Sequence, residues 1–459
     1  MPFPSHIFKA YDIRGLAGSE LSDELAYNIG RAFVLLLREE HHDLAGRRLV
    51  VGRDMRITSL SYQDAVVRGI IEEGVDVVGI GLSTTPLFNF ACAHYSEHAG
   101  GIMVTASHNP AEYNGFKLTL DNGLPIGKNS GMSRLYEIVN TLEKKSPGET
   151  RGQVFEKSVL PDYLDRIFSL VPKTHMKPLK VVIDFGNGMG SVTFEKLMAA
   201  LPFEVEYLYK ELDGTFPNHE SNPLKTETLR DLQARVVATG ADFGFALDAD
   251  ADRIGLVDEK GEVVDASFVG ALIGLEVLKK HPGAHFLYDL RSSKIADDLW
   301  SKAGATTEMC MVGHALIKKM MKETQAAFAS ELSLHVYFRD MYDVESSDLS
   351  FLYLAQLISR EQKPLSSLIQ PLKKYNHSGE INFEVKNKEE IVKAIEQKYK
   401  NEAIKVSYLD GLWMQMPWGW FNVRQSNTEP VLRLNLETGS AEMTREKVGE
   451  MREMIVRKA

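Results

Sequence analysis

Cysteine is scarce in this sequence, because Cys92 and Cys310 are the only two among 459 residues. They lie far apart and form no C-x-x-C pair, so neither a disulfide framework nor a thiolate zinc site is indicated. A reducing compartment suits such a chain, and we expect a cytoplasmic protein.

Long hydrophobic runs are also lacking. The longest helical apolar run, at residues 32–37, is far too short to cross a bilayer. Residues 1–15 are interrupted by Lys9, Asp12 and Arg14 and lack the apolar core of a signal peptide. We therefore expect neither a membrane segment nor an export signal.

An excess of positive charge is the third absence. The chain has 53 Lys and Arg against 63 Asp and Glu, a net charge of −10, which disfavours a nucleic acid or an anionic membrane as partner. An anionic small molecule would have to meet a local basic cleft. Hydrophobic residues make up 44% of the chain and charged residues 25%, which excludes a disordered protein and favours several globular domains.

Short apolar runs alternate with longer amphipathic stretches, a pattern typical of βαβ units and mostly parallel sheets. The sequence predicts an α/β protein. The predicted strands include residues 48–51, 76–79, 101–104, 180–183, 205–208, 243–247 and 286–288. The predicted helices include residues 23–39, 61–73 and 226–239.

Polar, loop-like segments near residues 144–150, 258–261 and 361–364 mark the predicted domain boundaries. We predict domains over residues 1–150, 151–257, 258–365 and 366–459. The first three carry similar strand-turn-helix units. After Pro364 a Lys- and Glu-rich helical stretch, 387–401, is followed by strand-like runs at 405–409 and 431–436, which predicts a smaller α+β domain.

Three carboxylates, Asp248, Asp250 and Asp252, follow directly on the apolar run 243–247. Separated by small alanines in a loop, they can direct their oxygens at one hard divalent cation, and Mg²⁺ is the natural choice. An EF-hand is excluded because Arg253 occupies the position of its glycine. The alternative is a solvated acidic loop.

A serine, Ser107, lies in the segment Thr105-Ala106-Ser107-His108-Asn109-Pro110 after the apolar run 101–104. Asn-Pro favours a turn, which would expose the serine at a strand end as a nucleophile or phosphate carrier requires. Since no G-x-S-x-G elbow surrounds it, phosphoryl chemistry is favoured over acyl transfer. A purely structural turn is the alternative.

A third motif combines an arginine with small polar side chains, Arg424-Gln425-Ser426-Asn427-Thr428-Glu429-Pro430, with Arg433 nearby. The guanidinium fork, hydroxyls, amide and backbone N–H groups can together bind a phosphate. A turn stabilised by Ser and Thr and ending at Pro430 is the alternative.

These three motifs, in this order, resemble the α-D-phosphohexomutase family, especially its phosphomannomutase/phosphoglucomutase branch. Further matches are the segments 8–15, 51–54, 114–117, 213–219, 313–314 and 330–335. The resemblance implies three tandem domains of similar mixed α/β topology plus a smaller α+β C-terminal domain, around a central cleft that the last domain closes.

The resemblance also implies a reaction. Ser107 would carry a phosphoryl group, and phosphate would move between C1 and C6 of a hexose phosphate through a hexose 1,6-bisphosphate. Asp248, Asp250 and Asp252, with Ser107, would hold Mg²⁺. The implied catalytic residues beside Ser107 are His108, Arg14, Lys117 and Arg253. The implied substrate-binding residues are Tyr11, His314, Glu331, Ser333, His335, Arg424, Ser426, Asn427, Thr428 and Arg433.

The chain departs from the family pattern where the sugar is recognised. Ser330 and Leu334 stand where glycine is usual, and Arg291 stands where a lysine is common. Acid/base catalysis at position 291 is disfavoured because arginine stays protonated. The alternatives that remain open are a phosphoglucosamine mutase, a non-catalytic sugar-phosphate binding relative and a metal-dependent phosphatase. A monomer or a dimer is expected.

Overall fold

The computed structural model describes residues 2–40, 44–128, 130–143, 151–425 and 431–457. It divides into two compact units, Met1–Val264 with Ser333–Leu365, and Asp265–Leu332 with Ser366–Ala459. Within the described ranges, no helix is both long enough and apolar enough to span a bilayer.

The first sheet of the first unit has the strand order β1-β5-β4-β2-β3-β6. β2, β3, β4 and β6 pair in parallel, and β5 runs antiparallel to β4 and β1. Its strands are β1 Ile13–Leu16, β2 Arg48–Arg53, β3 Asp76–Leu82, β4 His98–Val104, β5 Tyr113–Leu120 and β6 Val154–Glu156. Its helices are α1 Asp23–Glu39, α2 Ser59–Glu72, α3 Thr85–His94 and α4 Met132–Thr141. β4 is buried throughout and ends just before the Ser107 segment.

Two glycines allow α1 and α2 to touch backbone to backbone. A Cβ on Gly30 would lie 2.3 Å from the carbonyl oxygen of Val66, and one on Gly69 would lie 2.2 Å from that of Tyr27. The contact is reciprocal, so the two helices approach more closely than any side chain would permit.

The second sheet of the first unit has the order β10-β9-β7-β8, with β7, β8 and β9 parallel and β10 antiparallel to β9. Its strands are β7 Lys180–Asp184, β8 Glu204–Leu208, β9 Phe243–Leu247 and β10 Ile254–Asp258, and its helices are α5 Leu160–Leu170, α6 Gly190–Met198 and α7 Arg230–Thr239. Leu247 pairs with Ile254, so residues 248–253 form the tight connection between two buried strands.

The second unit begins with a parallel sheet of order β12-β11-β13. Its elements are α8 Ala266–Lys280, β11 His285–Asp289, α9 Lys294–Lys302, β12 Thr306–Cys310, α10 His314–Thr324 and β13 Phe328–Ser330. β11 and β13 end side by side, so the residues that follow them emerge at one edge. The antiparallel strands β14 Val336–Phe338 and β15 Val344–Glu345, and the helix α11 Ser347–Glu361, belong to the first unit.

The last part of the chain forms an antiparallel sheet in which β18, β19, β20 and β21 are neighbours in that order, and β21 also pairs with β16 and β17. The elements are α12 Leu365–Ile369, β16 Asn376–His377, β17 Ile381–Glu384, α13 Lys388–Tyr399, β18 Lys405–Ser407, β19 Leu412–Met416, β20 Gly419–Gln425, β21 Val431–Thr438 and α14 Ala441–Val456. Arg424 on β20 pairs directly with Arg433 on β21.

The α/β class is confirmed, and every strand predicted in the first three segments is present. α2 begins at Ser59 rather than Ser61, and the helix predicted at 226–239 is a 3₁₀ turn, Thr226–Leu229, followed by α7. The strand predicted at 405–409 ends at Ser407, because the chain then turns through Gly411, whose φ of 73° is left-handed. The domain boundaries at 150, 257 and 365 remain predictions.

Gly30→Ala should destabilise the first unit by about 1–3 kcal/mol, because the new methyl group must force the two helices apart. The matched control is Gly449→Ala in α14, where the site is open and a Cβ meets nothing within 4 Å. That change should stabilise the second unit by about 0.5–1 kcal/mol. Differential scanning calorimetry of both variants measures the two opposite shifts. An unchanged unfolding temperature for Gly30→Ala would contradict the close helix contact.

Candidate active site

The Ser107 hydroxyl lies at the carboxyl end of β4 in a left-handed turn. Its φ is 50°, a conformation that is costly for a residue with a Cβ, and its N–H donates to Thr105 Oγ1 at 3.0 Å. Its Oγ donates to Asp248 Oδ2 at 2.9 Å and lies 3.1 Å from His108 Nδ1. The predicted serine and the first predicted metal ligand are therefore in direct contact.

Arg56 stabilises the turn that contains Ser107, which we call the serine turn. Arg56 was not among the residues predicted from the sequence. Its guanidinium donates to the carbonyl oxygens of Ser107 at 2.7 Å, Asn109 at 2.6 Å, Pro110 at 2.7 Å and Tyr113 at 3.0 Å. The same side chain donates to Asp54 Oδ2 at 3.2 Å, and both residues are buried. These four hydrogen bonds to backbone carbonyls, together with the buried ion pair of Arg56 with Asp54, fix the strained turn.

The acids Asp248, Asp250 and Asp252 are all buried at the end of β9, and one oxygen of each lies within 4.8 Å of the others. They are therefore not a solvated loop. The alanines between them, Ala249 and Ala251, are buried as well, and Ala251 takes a left-handed φ of 59°.

Two side chains from distant parts of the first unit bind this acidic loop, and neither was predicted as a site residue. Thr85 donates its hydroxyl to Asp250 Oδ2 at 2.6 Å and its N–H to the Asp250 carbonyl at 2.9 Å. Ser347 donates to the carbonyl of Ala251 at 2.6 Å. A hydroxyl at a helix terminus is too common a feature to mark either residue in advance.

The predicted catalytic lysine, Lys117 on β5, lies between two of the acids. Its Nζ donates to Asp250 Oδ2 and to Asp252 Oδ2, both at 2.6 Å. Burial alone would lower the pKa of Lys117, but the charges of Asp250 and Asp252 outweigh it and raise the pKa above its usual range. Lys117 is therefore a permanent cation in this centre.

The acids differ in their electrostatic environment. Burial, together with the neighbouring charges of Asp252 and Asp250, raises the pKa of Asp248. Burial would also raise the pKa of Asp252, but Lys117, His335 and Arg253 reverse the shift and lower it. The three carboxylates can be buried close together only because positively charged side chains lie among them.

His108 is the titratable side chain next to the serine. Burial, and then the charges of Arg253 and Arg14, lower its pKa well below the usual value, so it is neutral at pH 7. Arg253 Nε lies 4.0 Å from Asp248 Oδ2, and Arg14 donates to the Asn109 side chain. All four predicted catalytic partners of Ser107 therefore lie around the serine turn or the acidic loop.

The residues of this centre fit a hard divalent cation. Asp250 Oδ1 is buried and has no hydrogen-bond partner among the described residues. An orphaned carboxylate oxygen in the interior is costly unless a cation or a water satisfies it. All three side chains also offer oxygen, the ligand atom that Mg²⁺ prefers.

A second cluster of charges lies at the adjacent ends of β11 and β13, in the second unit. Arg291 donates to Asp289 Oδ2 at 2.7 Å and to Glu331 Oε1 at 3.3 Å, and Glu331 also accepts the N–H of Gly313 at 3.2 Å. Burial alone would lower the pKa of Arg291, but the surrounding carboxylates raise it. Arg291 is consequently a fixed cation that orients the predicted sugar ligand Glu331.

The paired arginines of β20 and β21 share one carboxylate, that of Glu380. Arg424 Nη2 lies 2.9 Å from Glu380 Oε2 and Arg433 Nη1 lies 3.4 Å from Glu380 Oε1. Arg291 Nη1 lies 3.4 Å from Glu380 Oε2 and thus joins the two groups of charges. Glu380 precedes an ordinary-looking strand, and nothing in its local sequence indicated this position.

The remaining predicted substrate-binding residues are placed as follows. His335 accepts or donates a hydrogen bond with Ser333 Oγ at 2.8 Å, and its Nε2 lies 3.4 Å from Asp252 Oδ1. Tyr11 is partly buried in the segment before β1, and His314 is the first residue of α10 in the second unit. The predicted Ser426, Asn427 and Thr428 lie outside the described residues.

Family models match successive parts of the chain along most of its length. They are phosphoglucomutase/phosphomannomutase alpha/beta/alpha domain I over residues 5–146, domain II over 161–261, domain III over 265–375, and the C-terminal domain over 380–457.

Individual relatives agree with these family matches. A phosphomannomutase of Vibrio cholerae is 36% identical over 457 residues, which cover 98% of each chain, and one of Escherichia coli K12 is 36% identical over 438 residues, 94% of each chain. The crystal structure of a phosphoglucomutase/phosphomannomutase family protein from Burkholderia thailandensis superposes with a TM-score of 0.89 at 33% identity. That superposition covers 99% of this chain and 97% of the other.

Arg56→Ala should destabilise the first unit by about 3–5 kcal/mol, because it removes the cation that neutralises the buried Asp54 carboxylate and the donor that binds four carbonyls of the serine turn. The control is Arg134→Ala, which removes an exposed arginine that binds Glu39 on the surface. The control should change the unfolding temperature little, since exposed ion pairs contribute little to stability. Thermal unfolding followed by circular dichroism compares the two, and equal shifts would contradict the role given to Arg56.

Proposed function

Because the chain belongs to the phosphoglucomutase/phosphomannomutase family, we propose that it is a mutase that moves phosphate between C1 and C6 of mannose and glucose phosphates. The observation that carries the proposal is the contact of the Ser107 hydroxyl with Asp248, inside a buried set of carboxylates and cations. Such a centre positions and neutralises a transferring phosphoryl group, which is what phosphoryl transfer mainly requires.

The proposed reaction has two transfers. In the first, the bond between phosphorus and Ser107 Oγ breaks while a bond forms to the free hydroxyl of the hexose phosphate, which loses its proton. The product is a hexose 1,6-bisphosphate. After it turns over, its other phosphate is returned to Ser107 and the monophosphate isomer leaves, so neither water nor any redox reagent is consumed.

The side chains around Ser107 divide this work. Lys117 and Arg253 are cations that would stabilise the charge on the transferring group. Neutral His108, with Nδ1 3.1 Å from Ser107 Oγ, is placed to exchange a proton with it or with the sugar hydroxyl. Arg14 would fix the serine turn through Asn109.

A divalent cation, for which we propose Mg²⁺, would be held by Asp248, Asp250 and Asp252 together with the phosphate on Ser107. When bound, it would neutralise charge on the transferring phosphoryl group. The support is the all-oxygen donor set and the unsatisfied Asp250 Oδ1.

We assign substrate binding mainly to residues of the second unit, with Ser333, His335 and Tyr11 of the first unit. Arg424 and Arg433, with Ser426, Asn427 and Thr428, would bind the phosphate that is not reacting, since paired guanidiniums recognise phosphate oxygens bidentately. Glu331, oriented by Arg291, would accept hydrogen bonds from sugar hydroxyls, as would Ser333 and His335. Tyr11 and His314 complete the proposed set. Because the intermediate binds in two orientations, this recognition must be nearly symmetric.

The sugar loop, residues 330–335, bears on which hexose phosphate is preferred. Leu334 has a φ of 71°, a left-handed conformation suited to the glycine that is usual in the family, and its carbonyl accepts the N–H of Ile254 at 3.1 Å. Leu334 therefore takes a conformation that a glycine adopts more easily, and it adds a bulkier side chain to the loop. Turnover of mannose, glucose and glucosamine phosphates, compared in one panel, tests this preference.

The coarser features of the proposal follow from the sequence. We propose domains at residues 1–150, 151–257, 258–365 and 366–459, a cytoplasmic location, and a monomer or dimer. Light scattering after gel filtration tests the oligomeric state, and limited proteolysis near residues 150, 257 and 365 tests the boundaries.

Ser107→Ala should abolish turnover, by about 10³-fold or more, because no other hydroxyl replaces the phosphate carrier. The assay is coupled conversion of mannose 1-phosphate or glucose 1-phosphate with glucose 1,6-bisphosphate present, and intact mass measures the phosphoryl group. Ser169→Ala, at an exposed serine, is the control and should keep both activity and phosphorylation. A Ser107→Ala variant with normal turnover would refute the proposed mechanism.

Mg²⁺ at about 100 times its dissociation constant should stabilise the wild type by about 2.7 kcal/mol, because only the folded chain assembles the three acids. Asp250→Asn should lose most of this stabilisation, whereas Asp231→Asn, an exposed change of the same charge, should keep it. Scanning calorimetry with and without Mg²⁺ measures the shifts. Equal stabilisation of all three proteins would place the cation elsewhere.

A further inference from the structure

We propose that Glu380 is an internal competitor for the substrate's phosphate: its carboxylate binds the phosphate-recognising arginines when no phosphate is present and must leave them when one arrives. This inference rests on the proposed function. Glu380 would then help to set both the affinity for the substrate and the release of the bisphosphate intermediate.

The geometry that supports this role is the position of Glu380 among three guanidiniums. Its Oε2 lies 2.9 Å from Arg424 Nη2 and 3.4 Å from Arg291 Nη1, and its Oε1 lies 3.4 Å from Arg433 Nη1. Both oxygens are therefore engaged, as two oxygens of a phosphate would be. The side chain of Arg424 is only 3% exposed and its Nη2 binds Glu380, so a phosphate oxygen that binds this nitrogen would compete with the carboxylate.

The charge balance of the cluster leads to the same conclusion. Arg291, Arg424 and Arg433 are opposed by the carboxylates of Asp289, Glu331 and Glu380, and Asp410 adds a further acid near Arg424. Burial alone would raise the pKa of Glu380, but the three arginines lower it, so the carboxylate is charged at neutral pH. With Glu380 in place, the cluster carries no excess positive charge to attract a phosphate dianion.

The proposed reaction gives such a competitor a use. The bisphosphate must leave the arginines and return in the opposite orientation, and bare buried guanidiniums would make that departure costly. A carboxylate that takes the place of the leaving phosphate keeps the arginines paired. Glu380 accepts a single hydrogen bond from Arg424, whereas Asp289 accepts from Arg291 with both carboxylate oxygens, one of them from the backbone N–H, so Glu380 is the carboxylate that fewer contacts hold.

The alternative is that Glu380 is a positioning residue that stays in place and orients the arginines toward phosphate. The two roles predict opposite signs. Removal of a competitor strengthens phosphate binding, while removal of a positioning residue weakens it.

The test measures binding of glucose 1-phosphate by calorimetry in a Ser107→Ala background, where no transfer can occur. Glu380→Gln, which removes the charge but keeps the shape, should lower Kd by about fivefold or more. Glu380→Asp, which keeps the charge on a shorter side chain, should fall between this variant and the wild type. Glu390→Gln, an exposed change of the same charge at the start of α13, should leave Kd unchanged.

Two further readouts separate the roles when Ser107 is intact. As a competitor, Glu380→Gln should lower both KM and kcat, since substrate binds more tightly and the intermediate leaves more slowly. It should also lower the unfolding temperature without phosphate, because the arginines lose a partner, and gain more stability than the wild type when glucose 1-phosphate is added.

The outcomes are distinguishable from failure of the proposed function. If the wild type neither binds nor converts hexose phosphates, the proposed function falls, and this inference with it. If the wild type binds and converts them while Glu380→Gln binds glucose 1-phosphate equally or more weakly, only the competitor role is overturned.

Discussion

The structure of the first unit depends on balancing buried carboxylates against buried cations. Three acids at the end of β9 lie within 4.8 Å of one another in the interior, where like charges repel strongly. Lys117 on β5 bridges two of them, and Arg253 contributes further positive charge. Ser107 is placed by the same arrangement, because its hydroxyl binds one of these acids.

In the second unit the central charges are positive: a group of arginines is balanced by carboxylates. Its arginines come together at the end of β11 and across β20 and β21, and carboxylates from separate strands and loops pair with them. In the first unit the unsatisfied Asp250 Oδ1 favours a cation. In the second, the paired guanidiniums favour an anion. Metal-assisted transfer and phosphate recognition are therefore the chemistries that the two charge clusters favour.

The site residues that could be predicted from the sequence belong to contiguous motifs at the ends of strands. Asp248 and Ser107 each follow an apolar run, so the sequence indicates each motif by itself. Their strands, β9 and β4, belong to different sheets, so the contact between the two residues could not be read from the sequence. Arg56 and Glu380 escaped prediction because their partners are distant along the chain: Arg56 binds carbonyls more than 50 residues away, and Glu380 binds Arg424, 44 residues away. A sequence does not show which backbone carbonyls will accept hydrogen bonds from a distant side chain. A glutamate next to a strand is too common to indicate a binding site. The observed ends of helices and short strands differ from the predicted ends where a local turn terminates the element. The strand predicted at 405–409, for example, ends at Ser407, before the turn at Gly411.

The central claim is that phosphate passes from Ser107 directly to a sugar hydroxyl. The most direct measurement is a single turnover with protein labelled on Ser107 with ³²P and then mixed with excess unlabelled glucose 6-phosphate. The account predicts that the label leaves the protein and appears first in glucose 1,6-bisphosphate and then in a hexose monophosphate. Label that is released as inorganic phosphate, or that stays on the protein while the substrate is converted, would contradict it.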